Sequence, residues 1–418
     1  MNNEEERMQL INKGRLTRRS VLAGMAVGLA APRAFAQQAE IKVGLLVPIS
    51  GMYARPGTVM REGAEMAIDH INAAGGVTAL GGAKLKLIVF DSGDSVEKAK
   101  NAAQRMVAQE PDLVAASGAY LSSFTLAVTE VTERASLPVL TLSYSDLITE
   151  RGFKFVFQTS ATAKSQAEQA LPQILQLANA ASGAPPKTVA IITDNTGASV
   201  ASVKPMREGL LAKNGLQLVV DETFTPPLAD ATSLVQRVRS AKPDLLFFLP
   251  TVISDAKLML EKMNEFGLGQ GRIPTISFGI AVAEPDMLQT VSADLLQGVL
   301  TCVGSWGSKG DEALMAELKT RYNEPWMTQN AISTYGDMWV IKDALEKAGK
   351  ADRIAVADAL RSMDAGPSKY YPLGEIKFDS MGRRVGAGMT IVQWQDGIPV
   401  TVFPPELALA KPFWPKKA

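Results

Sequence analysis

"IKVGLLVPISGMYARPGTVMREGAEMAIDHINAAGG", residues 41 to 76, places an apolar run, a glycine-punctuated loop and an amphipathic run in direct succession. Ile41 to Val47 is continuous in valine, leucine and isoleucine apart from Lys42 and Gly44, the composition of a strand buried on both faces. From about Thr58 the apolar residues Ala64, Ala67, Ile68 and Ile71 recur at helical spacing, and "AAGG" supplies a stop. Between strand and helix, "PISGMYARPG" offers Gly51 and Gly57 for turns, with Tyr53 and Arg55 as the large side chains able to reach a ligand. Arg55 could pair with an anion or stay solvated.

The same strand-loop-helix unit recurs along the chain. "LKLIVFD" (85 to 91), "DLVAAS" (112 to 117) and "PVLTL" (138 to 142) follow the first unit. After the connection "ANAASGAPPK" (178 to 187), a second set begins with "TVAIIT", "LQLVVD", "DLLFFL" and "IPTISF". Two successive sets of about four units predict an α/β fold with two doubly wound parallel-sheet lobes rather than one eight-unit barrel. The last hundred residues hold two helices and two strands, too little for a third domain, and are expected to complete the earlier two.

Residues 1 to 36 read as an export signal. Lys13, Arg15, Arg18 and Arg19 precede the apolar "VLAGMAVGLAA", and the small-residue "AFA" ends at Ala36, after which cleavage is predicted. That apolar run is shorter than the about 20 residues a bilayer span needs. "TRRSVLA" resembles a twin-arginine signal, and export by that route would leave the mature protein in the periplasm. The whole chain has 43 basic and 43 acidic residues, and without the basic leader it becomes slightly acidic. Such a balance has none of the concentrated positive charge that nucleic acid requires.

Candidate chemistry gathers at the strand ends, where open parallel sheets bind ligands and helix N-termini present free N–H groups. Ser122 and Ser123 follow the third strand, and Ser143, Tyr144 and Ser145 follow the fourth; together they could cradle a carboxylate or act only as caps and turns. Catalytic alternatives are poorer. His70 is the lone histidine and sits within a helix, Cys302 is the lone cysteine, and no glycine-rich loop has phosphate-binding context. The expectation is therefore no catalytic residue, no metal site and no cofactor.

The opening stretch, with "LIVFDSGDS", "LSSFTLAVTEV" and "LPVLTLSYSDLITERGF", resembles the leucine/isoleucine/valine-binding proteins, type I periplasmic solute-binding proteins of ABC transporters. The resemblance implies two lobes joined by three hinge crossings, one lobe of about 41 to 160 plus 304 to 371 and another of about 161 to 303 plus 372 to 418. It further implies a monomer that passes its ligand to membrane permease and ATPase subunits, or alternatively a sensory subunit serving a membrane receptor. By the same likeness, Ser122 and the run Ser143, Tyr144, Ser145 would hold the ligand carboxylate; the reading of the strand-end loops adds Ser123, Tyr53 and Arg55 as candidate ligand-binding residues. Thr251 and the apolar Phe278, Ile280 and Val282 would complete the site from the second lobe. The family's acidic ammonium partner falls near Gly279 and Ile280, where there is no carboxylate. An aromatic or aliphatic acid therefore fits better than an α-amino acid, unless Asp146, Glu284 or a tyrosine hydroxyl meets the ammonium.

Overall fold

The structure, a computed structural model, describes residues 40 to 414, so the expected signal and its cleavage point lie outside it. Among the described residues, β1 (Glu40–Val47), β2 (Lys84–Asp91), β3 (Ala115–Gly118), β4 (Val139–Thr141) and β5 (Val156–Gln158) form a parallel sheet in the order β2-β1-β3-β4-β5. A second sheet holds β6 (Thr188–Asp194), β7 (Gln217–Phe224), β8 (Leu245–Leu249), β9 (Thr275–Phe278) and β10 (Leu300–Val303). Its parallel part runs β7-β6-β8-β9-β10, the same winding as the first sheet. A short antiparallel ribbon of β11 (Asp364–Pro367) and β12 (Glu375–Lys377) intervenes, and β13 (Thr390–Gln395) and β14 (Ile398–Phe403) then extend the second sheet antiparallel beyond β10. The two lobes are thus doubly wound, and each sheet reverses its winding direction once, between β1 and β3 and between β6 and β8.

The periodicities of the chain account for the layers. Val43, Leu45 and Val47 of β1 are fully buried beneath α1 (Ala54–Ala73) and the later helix Gln329–Ala348, which contribute Met60, Ala64, Ile341 and Leu345 to the same core. The opposite face takes Ala99, Ala103 and Met106 of α2 (Val96–Gln109), and Phe124 and Val128 of α3 (Ser122–Arg134). Small residues allow the close crossing of α1 and the helix Gln329–Ala348: a Cβ added at Gly63 would lie 2.2 Å from the carbonyl oxygen of Ala331. Gly63→Ala is expected to lower unfolding stability by roughly 1–3 kcal/mol, because two helix backbones must separate to admit the methyl group. Urea denaturation of the variant checks this through its midpoint at unchanged slope.

The tail completes both lobes, with one boundary shifted from expectation. Residues 375 to 384, expected with the second lobe, pack on the first. Ile376 and Phe378 enter the core under β1, and the buried Arg384 donates from Nε to the carbonyl of Thr159 at 2.7 Å. The apolar "EIKF" reads equally well against either sheet, so only the packing assigns it.

Candidate functional site

The switch points of both sheets carry the loops predicted to be functional, and the backbone there is unusual. After β3, Gly118, Ala119 and Tyr120 have φ of 130°, 70° and 56°, a run of left-handed or strained conformations in which two residues are not glycine. Such a run needs support from its surroundings. Ser143 supplies part of it, its hydroxyl donating to the carbonyl of Tyr120 at 2.9 Å while lying 2.6 Å from the Thr125 hydroxyl. Leu121 caps α3 without a side-chain hydrogen bond, so the first N–H groups of that helix have no side-chain cap.

The hydroxyls of "LSYSD" divide their roles. Thr141 is fully buried and donates to the carbonyl of Gly118 at 2.8 Å, which ties β4 to β3. Ser122 Oγ accepts from the Ser145 backbone N–H at 3.2 Å, so the two strand-end loops are locked together. Tyr144 donates its hydroxyl to Gln329 Oε1, and the Gly304 N–H reaches the same two side chains at 3.3 and 3.1 Å. Gly304 directly follows β10, so Tyr144 anchors a chain crossing from the second sheet back to the first. Burial pushes its phenol well above the ordinary tyrosine range, and it stays a neutral donor.

On the second lobe, Asp194 at the end of β6 organises the rim. It is fully buried; one oxygen accepts from the N–H and hydroxyl of Thr251, both at 2.7 Å, and the other from those of Thr196 at 3.0 and 2.7 Å. Thr251 is thereby fixed facing the first lobe. Gly197 packs directly on α3, where an added Cβ would meet Ser122 Cβ and the Ser123 nitrogen at 3.6 Å. The lobes are in contact.

Between them lies a cavity of about 50 Å³. Ser122, Ser143, Tyr144, Thr251 and Ile280 all line it, joined by Phe278. The wall is hydroxyl-rich on the first-lobe side, and on the second it combines the apolar Phe278 and Ile280 with the hydroxyls of Ser199, Ser202 and Thr251. A neighbouring chamber of about 280 Å³ shares Tyr120, Thr251 and Ala281 with it and is lined also by Tyr53. Ser123 and Ser145 do not line either space and back the wall instead. Val282 turns into the second-lobe core, its carbonyl accepting from Trp394 Nε1 at 2.8 Å.

Arg55 stands apart from this cradle. Its guanidinium forms two parallel 2.6 Å hydrogen bonds with Glu324 and a third, at 3.1 Å, with Asp286. All of these bonds reach carboxylates of the chain itself, which secures α1 through Asp286 to the segment after β9 and through Glu324 to the loop after the helix Glu312–Tyr322. The expected anion-pairing group is thus committed internally.

Gln329, Tyr120 and Ser199 line the cavity and were not anticipated. Tyr120 was accessible to sequence reading, since it sits two residues before Ser122. Gln329 was not, because it starts a helix more than a hundred residues beyond the strand ends it serves. Glu284, raised only as a conditional partner for an ammonium, lines the larger chamber and is 1% exposed. One of its oxygens accepts from Asn330 Nδ2 at 3.3 Å, and the other has no hydrogen-bond partner among the described residues. Burial raises its pKa to about 8, with Arg55 opposing the shift and Glu324 and Asp286 adding to it.

Residues 40 to 398 match the family model of the periplasmic binding proteins. The chain belongs to that family. Its members are solute-binding proteins rather than enzymes. The Leu/Ile/Val-binding protein homolog 8 of Brucella suis is 26% identical over 407 residues, covering 95% of this chain and 98% of the relative. The branched-chain amino acid transporter substrate binding protein LivJ from Streptococcus pneumoniae, solved in complex with isoleucine, superimposes with a TM-score of 0.73 at 20% identity. That likeness covers 87% of this chain and 99% of the other. An ABC transporter solute binding protein from Rhodopseudomonas palustris, solved with 3,4-dihydroxy benzoic acid, gives 0.71 at 22% identity, over 90% of this chain and 98% of the other. In this periplasmic binding protein the cavity occupies the position that the winding of the two sheets favours, outside the carboxyl ends of the strands.

Proposed function

We propose that this periplasmic binding protein is the substrate-binding component of an ABC importer of the branched-chain amino acid type, and that its cargo is a small carboxylate held between the lobes. The observation that carries the reading is the two-sided cavity. Ser122, whose hydroxyl only accepts a hydrogen bond among the described residues, and the uncapped N–H groups at the start of α3 offer donors to an anion. Ser143 and Tyr144 shape the same wall, and Phe278 and Ile280 offer an apolar surface to the rest of the molecule. The neighbouring proteins solved with isoleucine and with 3,4-dihydroxy benzoic acid support it, since both ligands join a carboxylate to an apolar body.

In this reading the first lobe runs to about residue 160 and resumes from 304, and the chain returns to the second sheet after residue 384. Three crossings of this kind form a hinge. The contact of Gly197 with Ser122 and the 50 Å³ cavity correspond to closed lobes, because benzene alone fills a cavity of about 150 Å³. Opening admits the ligand and closure buries it. Export by the amino-terminal signal would place the protein beside permease and ATPase subunits.

The test combines mass spectrometry of small molecules retained through purification with thermal shifts against amino acids and aromatic acids. A cognate ligand at a hundred times its dissociation constant adds about 2.7 kcal/mol of stability. Ser122→Ala should weaken that ligand roughly tenfold, the loss of one hydrogen bond to a charged group. If no amino acid or organic acid shifts the transition, the carboxylate reading falls.

A further inference from the structure

The larger space beside the hydroxyl cradle is lined by Tyr53, Tyr120, Thr251 and Glu284 together with the exposed Met52 and Ser254, and its 280 Å³ exceeds what a benzene ring needs. Two of these residues, Tyr120 and Thr251, also line the cradle, so the two spaces adjoin. Glu284 is the chemical anomaly of the chamber. A carboxyl group almost wholly removed from water has one oxygen with no partner among the described residues, and the Oδ1 of Asn330 beside it has none among them either. An acceptor buried in this way forfeits its hydration and gains nothing in return. Arg55 does not relieve it, since its hydrogen bonds go to Glu324 and Asp286. An apolar residue would fill the position at lower cost if packing were its sole task.

We propose that the chamber is a second ligand subsite, in which Glu284 receives a hydrogen-bond-donating group, hydroxyl or ammonium, carried at the end of the ligand opposite its carboxylate. The inference rests on the carboxylate reading above and adds the ligand's far end. It makes Glu284 a specificity-determining residue: a plain apolar acid would leave the Glu284 oxygen unpaired, and a donor-bearing acid would satisfy it. The charged and titratable groups that act on Glu284 are Arg55, Glu324, Asp286 and Tyr120. With its pKa raised to about 8, Glu284 enters complexes at pH 7 mostly protonated. A hydroxyl donates to the carbonyl oxygen of that neutral acid without proton exchange. An ammonium instead favours the carboxylate, so its binding transfers the Glu284 proton to solvent buffer.

Calorimetric titration of the mature protein with benzoate, 4-hydroxybenzoate, 4-(aminomethyl)benzoate and leucine tests the proposal. The expected result is that one or both donor-bearing benzoates bind at least about tenfold more tightly than benzoate. That advantage should shrink in Glu284→Gln and disappear in Glu284→Leu. Repeating the titration in buffers of different ionisation enthalpy separates the two donors, with proton release expected for the aminomethyl compound alone. Should Glu284→Leu fail to fold by circular dichroism, Glu284→Gln decides, since it keeps the shape and a bond to Asn330. Equal affinity for all three benzoates, or an advantage that survives in both variants, overturns the subsite and leaves the carboxylate reading standing. Binding of leucine alone does the same, because its donor is adjacent to its carboxylate. If none of the four acids binds, the carboxylate reading falls and the subsite with it.

Discussion

Arg55→Ala should destabilise the protein by about 3 kcal/mol and weaken ligand binding at the same time. Glu324 is 4% exposed, and removing its partner leaves a buried carboxylate uncompensated, a change that typically costs roughly 3–5 kcal/mol in fully buried pairs. The lower figure applies because the Arg55 side chain is 24% exposed and Asp286 is 35% exposed, so solvent screens part of the loss. The effect on binding has a separate origin. Arg55 lies at the start of α1 in the first lobe, and Asp286 follows β9 in the second, so their 3.1 Å contact favours the closed arrangement. Chemical denaturation measures the first effect and calorimetry with the cognate ligand the second. Asp286→Asn, which spares the Glu324 pair, should affect binding more than stability. Equal loss of stability in the two variants would show that the contact with Asp286 is no clasp.

The second large effect is a decline in stability as pH rises from about 4.5 to 8. Glu284 has its pKa raised to about 8 and Glu62 to about 7, in both cases chiefly by burial. For Glu62, Glu324 and Glu65 push the same way, and Arg55 and Arg61 oppose it. A carboxyl whose folded pKa exceeds its unfolded value holds its proton longer in the native state. Its contribution is fully present below the unfolded value near 4.5 and is lost as pH rises through 7 and then 8. Each tenfold gain in proton affinity on folding is worth about 1.4 kcal/mol, so the two groups together account for a decline on the order of 4 kcal/mol once structural relaxation around the ionised carboxylates is allowed for. Glu346 behaves oppositely, its pKa lowered to about 2 despite some desolvation by the N–H groups of Ala79 and Thr78, with Lys342 and the Thr78 hydroxyl helping. Its contribution fades only below pH 4.5. Stability of the ligand-free protein should therefore peak near pH 4 to 5, and Glu284→Gln with Glu62→Gln should flatten the alkaline side. Urea midpoints taken between pH 4 and 9 check this, and an unchanged slope in the double variant would refute the assignment.

The two hydroxyl clusters were legible because they stand at fixed offsets after apolar strands, and in a doubly wound sheet that offset is a location. Ser122, Ser143 and Tyr144 all reached the cavity wall for that reason. Arg55 shows where such reading stops. Its sequence position is right for the cleft, yet what a guanidinium meets depends on Glu324 and Asp286, more than two hundred residues away. Glu284 is the reverse case, a loop residue with no motif around it whose meaning comes from burial and a missing partner.

Periodicity alone was enough for the architecture, since runs of valine, leucine and isoleucine alternating with amphipathic helices can bury their faces in few ways. It also placed the cavity-lining loops at the carboxyl ends of the strands, because winding direction and strand polarity are local consequences of chain order. The tertiary structure alone decided which side chains are free to meet a ligand. Charge pairing, burial and the assignment of residues 375 to 384 to the first lobe depend on contacts between segments far apart in the chain, and no local pattern of residues encodes those distances.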